Sequence, residues 1–317
     1  MSRAYVLVFL PPADETHGYH MRPSDYSRLV LLAAIWGASF LFMRIAAPEF
    51  GAVPTAFLRV LFGAIGLACL LVMMKSTFRF EGKFGVALML GMINSGLPFL
   101  MYCLAATRLP AGYSAILNAT TPLMGALIGG LFFGETLTLR KWGGVLSGIV
   151  GIMIITTTAK TDVTGSVVIG VIACLVATAC YGLAGFLTRR WISQRGGLDP
   201  KMVAFGSQLG ATLFLLPFFV GSVSHGPAIF WLQGGVWASV IALGLMCTAL
   251  AYILYFRLIA DIGPLRSLTV TFLIPPFAVL WGYLVLGETL SEGFGMGALI
   301  VCLAVWMIVN PGKSPTQ

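Results

Sequence analysis

The sequence predicts an all-α polytopic membrane protein with ten transmembrane helices arranged as two inverted five-helix repeats. Three observations carry this. Hydrophobic residues fill 58% of the 317 positions and charged residues 9%, with a mean hydropathy of +0.95, a balance that would cover a water-soluble domain in apolar patches. A helix needs about 20 apolar residues to span a bilayer, so the chain holds roughly ten spans and leaves no length for a separate soluble domain. A short motif, with its flanking residues, recurs 153 positions apart.

Residues 1–27 read as a cytoplasmic tail, in which Ala4 to Leu10 is apolar but far too short to span and Met1 and Met21 are alternative starts. Apolar runs bounded by Gly, Pro and charge place spans at 28–48, 54–74, 83–104, 110–132 and 139–158, the first repeat (28–158). Spans at 165–188, 202–221, 233–256, 263–286 and 293–310 make the second (159–310), and 311–317 is a closing tail. Arg22, Lys75, Arg79, Lys83, Arg140, Lys141, Arg189, Arg190, Arg195, Lys201, Arg257 and Lys313 fall in the tails and alternate loops, whereas the other loops carry little beyond Arg108 and Lys160. Under the positive-inside rule both termini are cytoplasmic and the span count is even, and the expected location is the inner membrane. The net charge of +8 is thereby read as an orientation signal, and no nucleic-acid partner is expected.

Gly134-Glu135-Thr136-Leu137 recurs as Gly287-Glu288-Thr289-Leu290, and at the same spacing Tyr102 matches Tyr255, Ser114 matches Ser267 and Pro122 matches Pro275. The first helices correspond at a spacing of 145, with Trp36-Gly37 beside Tyr181-Gly182 and Arg44 beside Arg189. Each unit has an odd number of spans, so the second enters the membrane from the opposite side. Inverted repeats of this kind build carriers whose site lies near the midplane.

The Trp36-Gly37-Ala38-Ser39-Phe40 run, Phe57-Leu58-Arg59, the prolines of spans four and nine, and the two Gly-Glu-Thr-Leu loops together carry a family likeness. From Met21 to Pro311 the chain resembles the EamA family of the drug/metabolite transporter superfamily. The resemblance implies a central cavity between two inverted repeats and movement of amino acids, other metabolites or drugs. Where the first copy has Arg59 the second has a residue near Gln208, a departure from simple duplication of any binding role.

Intramembrane ionisable residues are functional candidates by default. Arg44 and Arg59 lie near the outer ends of spans one and two; each either snorkels or pairs, and Arg59 either meets Glu49 or holds an anionic group. Arg266, with Asp261 as partner, is the rough counterpart at the other side. No Asp or Glu falls at a span centre, which suits a facilitator or exchanger. Glu135 and Glu288 read as cap or interhelical hydrogen-bond residues.

Asn94-Ser95-Gly96 before Pro98, and Asn118 to Pro122, interrupt spans three and four and free backbone carbonyls, either for a cavity or for cross-helix bonding. Pro122 and Pro275 are expected helix kinks. Trp36, Ser39, Arg59, Asn94, Tyr102, Tyr113, Asn118, Tyr181, Phe186, Gln208, Tyr255 and Arg266 are the candidate cavity residues. The six cysteines lie within apolar runs without a Cys-x-x-Cys pair and read as packing residues, so no metal and no cofactor is expected. Gly125/Gly129, Gly144/Gly148 and Gly206/Gly210 read as helix contacts within a monomer, or, through span five, in a homodimer. No hydrolase, metalloprotease or nucleotide-binding motif is present, so enzyme activity is not expected, and a carrier is favoured over a channel. The expected partners are a small solute and the lipid bilayer.

Overall fold

A computed structural model describes residues 22–158, 164–263, 267 and 269–309. The tail through Met21, and with it Lys160, Arg266 and Lys313, lies outside the described residues, as do the expectations placed on them. The described residues form ten apolar helices in order: α1 Pro23–Phe50, α2 Ala52–Met73, α3 Phe84–Ala106, α4 Ala111–Phe132, α5 Leu139–Thr157, α6 Thr164–Trp191, α7 Pro200–His225, α8 Gly234–Ile262, α9 Val270–Leu286 and α10 Glu292–Val309. Nine are long and apolar enough to cross a bilayer, and α9 has 17 described residues. α1 starts at Pro23, ahead of the predicted 28, because proline suits the first turn and the Asp25 carboxylate accepts from Arg22 N at 2.9 Å.

The principal helix pairings keep their pattern when the repeats are exchanged. α1 lies on α9 as α6 lies on α4, α1 on α8 as α6 on α3, and α2 on α8 as α7 on α3, while α2 meets α7 and α5 meets α10. The two spacings found in the sequence meet in one contact. A Cβ on Gly37 of α1 would press on Phe277 and Ala278 of α9, and one on Gly182 of α6 would press on Met124 and Gly125 of α4.

Lipid tails are as apolar as the helices, so small residues and polar bonds must hold the bundle together. Gly91 of α3 abuts the Ser207 carbonyl of α7, and Gly210 of α7 abuts the Leu88 carbonyl of α3, each so closely that a Cβ would collide. Gly144 and Gly151 lie against α10 and Gly148 against Leu123 of α4, so the small-residue face of α5 is occupied within the monomer.

Span three does not break at Asn94-Ser95-Gly96; it widens there into a π turn, Met92–Gly96. A second π turn, Leu245–Leu250, sits at the repeat position in α8. Ala251 stands there in place of Pro98, so the proline is not what opens the turn. α4 breaks as expected into Ala111–Asn118 and Thr121–Phe132, with Pro122 in the first turn of the second piece. The hydroxyls of Thr120 and Thr121 donate to the Leu117 and Asn118 carbonyls at 2.7 Å each, which recovers acceptors the break frees. Pro275 differs from Pro122: α9 continues through it and through Pro276.

Candidate functional site

The two π turns face each other's repeat at the centre of the bundle. Arg59, the eighth residue of α2, is about 10 Å along the helix from its start. It does not snorkel: it is 5% exposed, with its guanidinium 3.7 Å from the centre of the Phe99 ring. Its Nε donates to Thr248 Oγ1 at a long 3.4 Å and its Nη1 to the Met43 thioether at 3.3 Å. Glu49 is not its partner, because that carboxylate accepts from Gln233 Nε2 at 3.0 Å. Among the described residues no carboxylate lies within ion-pair distance of Arg59.

Across the approximate two-fold axis Gln208 of α7 occupies the corresponding place. It is fully buried, and its Nε2 donates to Ser95 Oγ of α3 at 3.0 Å. Ser95 and Thr248 are 153 residues apart, as are Phe99 and Tyr252. The same polar bond between helix two of one repeat and the π turn of the other is therefore made twice, once with a charge and once without. Gln208 Oε1 is buried with no hydrogen-bond partner.

Aromatic rings from α1, α3, α6 and α8 pack on one another near this pair. Trp36 packs on Tyr255 with centroids 5.3 Å apart, Phe40 on Tyr102 at 5.6 Å, and Tyr102 on Tyr181 at 6.1 Å. Tyr102 OH donates to Asn118 Oδ1 at 2.8 Å, which ties α3 to the broken end of α4. Tyr102 lies one turn along α3 from Phe99, the ring beneath Arg59, and Tyr252 one turn along α8 from Thr248, the hydroxyl partner of Arg59. Trp36, Asn94, Asn118, Tyr181, Tyr252 and Tyr255 each keep partial exposure, unlike the fully packed helix contacts around them. Ser39 is buried in α1 and bonds back to the Trp36 carbonyl at 2.6 Å.

Two sequence candidates lie elsewhere. Tyr113 is buried at the start of α4, its hydroxyl 2.8 Å from Ser291 Oγ and its ring on Phe294 of α10. Phe186 stacks on Phe133 at the far end of α6, with centroids 4.5 Å apart. Arg266 is outside the described residues, and Asp261 pairs with Arg28 of α1. Thr248, Tyr252 and Phe99 were not among the candidates; the 153-residue spacing applied to Ser95 finds Thr248.

The Gly-Glu-Thr-Leu loops close the two ends of the bundle in the same local form. Gly134 and Gly287 have φ of +67° and +65°, the left-handed conformation that glycine adopts freely as it ends a helix. The next residue turns back, so that Glu135 N donates to the Gly129 carbonyl at 3.0 Å and Glu288 N to the Gly282 carbonyl at 3.1 Å. Each carboxylate lies over that glycine, where a Cβ would come within 2.5 Å of Glu135 Oε2 and 2.6 Å of Glu288 Oε2.

Beyond this the ends differ. Glu288 Oε1 accepts from Arg44 Nε at 3.1 Å and its Oε2 from Ala111 N at the start of α4 at 2.9 Å, while Arg44 Nη1 donates to the Ala106 carbonyl at the end of α3 at 2.7 Å. One carboxylate and one guanidinium thus lock α1, α3, α4 and the α9–α10 loop together. At the other end Glu135 and Arg189, the counterparts by repeat position, form no ion pair among the described residues, and Glu135 Oε2 is buried without a partner. Desolvation raises the Glu135 carboxyl above its usual range, with Lys141 and Arg189 acting in the opposite sense.

Duplicated five-helix units, paired with approximate two-fold symmetry about a polar and aromatic centre, define a polytopic membrane transporter. The chain belongs to the EamA-like transporter family, which it matches over residues 26–157 and 168–310. It is 20% identical over 280 residues to the uncharacterized transporter YoaV of Bacillus subtilis, covering 88% of this chain and 94% of that one. It is 28% identical over 184 residues to a protein of Streptantibioticus cattleyicolor named "Probable terminal-alkyne amino-acid exporter", covering 57% and 58%. A solved structure titled "Crystal structure of protein" shares the fold, with a TM-score of 0.59, 16% identity, and coverage of 90% of this chain and 96% of that one.

Proposed function

We propose that this protein exports small amphipathic metabolites, amino acids and related compounds first among them and drugs as a wider class, across the inner membrane by alternating access. The observation that carries the reading is the unequal state of two equivalent latches. Arg44 and Glu288 are engaged, and Glu135 and Arg189 are not. Inverted repeats can exchange conformations, so the arrangement at one end of the bundle is available to the other. With both termini cytoplasmic, the engaged latch is on the outer side, and the central site communicates with the cytoplasm through the Glu135 end. The aromatic wall of Trp36, Tyr102, Tyr181 and Tyr255 suits the apolar side of a solute, and Asn94, Asn118 and the Arg59–Gln208 pair suit its polar end. The name of the Streptantibioticus relative agrees with amino-acid export.

The test is transport into liposomes holding the purified protein, with a panel of radiolabelled aromatic and aliphatic amino acids, with and without a proton gradient. Saturable uptake accelerated by the same solute trapped inside is the result expected of a carrier. Uptake that neither saturates nor responds to trapped solute would make the protein a channel, and no movement of any panel member would remove amino acids as substrates.

A further inference from the structure

We infer that Arg59 is the anchor for a carboxylate on the transported solute, an inference that rests on the transport reading above and names the chemistry of its site. Three other arginines of the bundle have strong acceptors. Arg44 has the Glu288 carboxylate and the Ala106 carbonyl, Arg28 has Asp261, and Arg108 donates to the Leu104 carbonyl and to Thr107 Oγ1. Arg59 is 5% exposed, and its contacts are a thioether, the face of a phenyl ring and one long bond to a hydroxyl. That hydroxyl is already committed as a donor, because Thr248 Oγ1 gives its proton to the Leu243 carbonyl at 2.9 Å.

A guanidinium has five N–H donors in a planar fork that matches a carboxylate. Two of the five are used here, both on weak acceptors. A cation kept inside a membrane protein without a counter-charge is costly, and such residues mark the path of an ion or substrate. The repeat supplies a control within the molecule. At the equivalent place Gln208 makes the same bond to the facing π turn with no charge at all, so the fold does not require a cation there. The charge is present on one side of the axis only, over Phe99, one turn of α3 from Tyr102, whose ring packs on the half-buried Tyr181. A solute carrying one carboxylate and an apolar group fits this one-sided arrangement: carboxylate on Arg59, apolar group against the tyrosines.

The experiment compares L-phenylalanine, 3-phenylpropionate and L-phenylalaninamide on the purified wild type, Arg59→Lys and Arg59→Gln. Thermal unfolding is followed by tryptophan fluorescence, and counterflow is measured in liposomes. Wild type is expected to be stabilised by the two carboxylates and not by the amide. In Arg59→Gln their half-saturating concentrations are expected to rise about 100-fold, as for removal of one partner of a buried ion pair. Arg59→Lys, which keeps the charge and loses the fork, is expected to fall between them. The inference is overturned if Arg59→Gln or Arg59→Lys, melting as wild type does without solute, keeps the full preference for the carboxylates. It is also overturned if chloride or sulfate alone gives the whole stabilisation of wild type. Wild type that moves the amide as well as the acids would overturn it and leave the transport reading standing, whereas no counterflow of any of the three would remove both for solutes of this kind.

Discussion

Arg44 Nε lies 3.1 Å from Glu288 Oε1, and the residues that match them in the other repeat, Arg189 and Glu135, make no such pair. The contrast is informative because the surrounding backbone is the same at both ends, down to the left-handed glycine and the turn back to Gly129 or Gly282. Similar local structure with one latch made and one open is what the proposed alternation of an inverted repeat predicts.

Under the proposed alternation, breaking the made latch is expected to shift the balance between the two conformations. The Arg44 and Glu288 side chains are 30% and 13% exposed, so the pair is worth more than a surface ion pair and less than a dry one, about 1–2 kcal/mol. Glu288→Gln or Arg44→Ala is expected to raise the reactivity of a cysteine introduced at Ser39 toward an impermeant thiol reagent added outside, by about 5- to 30-fold. The exchange of Arg44→Glu with Glu288→Arg is expected to restore most of the wild-type rate. Unchanged outside reactivity in the single variants would show that the pair does not hold this end shut.

Acid is expected to favour the conformation described here. Desolvation raises the Glu135 carboxyl in this state, while pairing with Arg189 in the alternate state would lower it, so the protonated form belongs to the open latch and closure releases a proton. As pH falls through the raised value the open state gains; as pH rises above it the advantage is lost. Lys141 and Arg189 are the cations facing the carboxylate and oppose its protonation. Inside reactivity of a cysteine placed at Phe186 is expected to increase on acidification in wild type and to be insensitive to pH over the same range in Glu135→Gln. An equal response in both would assign the effect to another group.

The crossing of α3 and α7 depends on backbone contact. Gly91→Ala and Gly210→Ala each place a methyl on a carbonyl of the facing helix, with no flexible side chain to give way. Each is expected to lower stability by about 1–3 kcal/mol, whereas Gly85→Ala, with open space beside it, is expected to be neutral or slightly stabilising. Thermal melting of the three variants in one detergent compares them directly.

Tyr102→Phe keeps the ring on Phe40 and Tyr181 and removes only the bond to Asn118. Leaving the amide oxygen without its donor is expected to cost about 1 kcal/mol of solute affinity or stability. A larger loss of transport in Tyr102→Ala than in Tyr102→Phe would locate the work in the ring, and equal losses would locate it in the hydroxyl.

The sequence made the helix count and the duplication readable, because apolar runs report the bilayer directly and the Gly-Glu-Thr-Leu loop needs its glycine and glutamate for the same turn at both ends. It did not reveal the π turn of α8, since Leu245 to Leu250 contains neither proline nor glycine to mark it. The fate of Arg59 was open because its height along α2 is compatible with snorkelling; burial is decided by α3 and α8, and Gln233 takes the Glu49 carboxylate from far along the chain. Asp261 likewise pairs with Arg28, 233 positions away. Tyr113 resembles the other candidate tyrosines in sequence, but it sits at the start of α4, where its hydroxyl meets Ser291 and its ring Phe294 of α10.

The most direct measurement is cross-linking with a short bifunctional thiol reagent in a protein whose six native cysteines are replaced. One pair of sites is Arg44→Cys with Glu288→Cys, and the other is Glu135→Cys with Arg189→Cys. Alternation of the two latches predicts that each pair cross-links, that either cross-link stops transport reversibly, and that the two never form in the same molecule. Both cross-links in one chain, or continued transport with either in place, would contradict it.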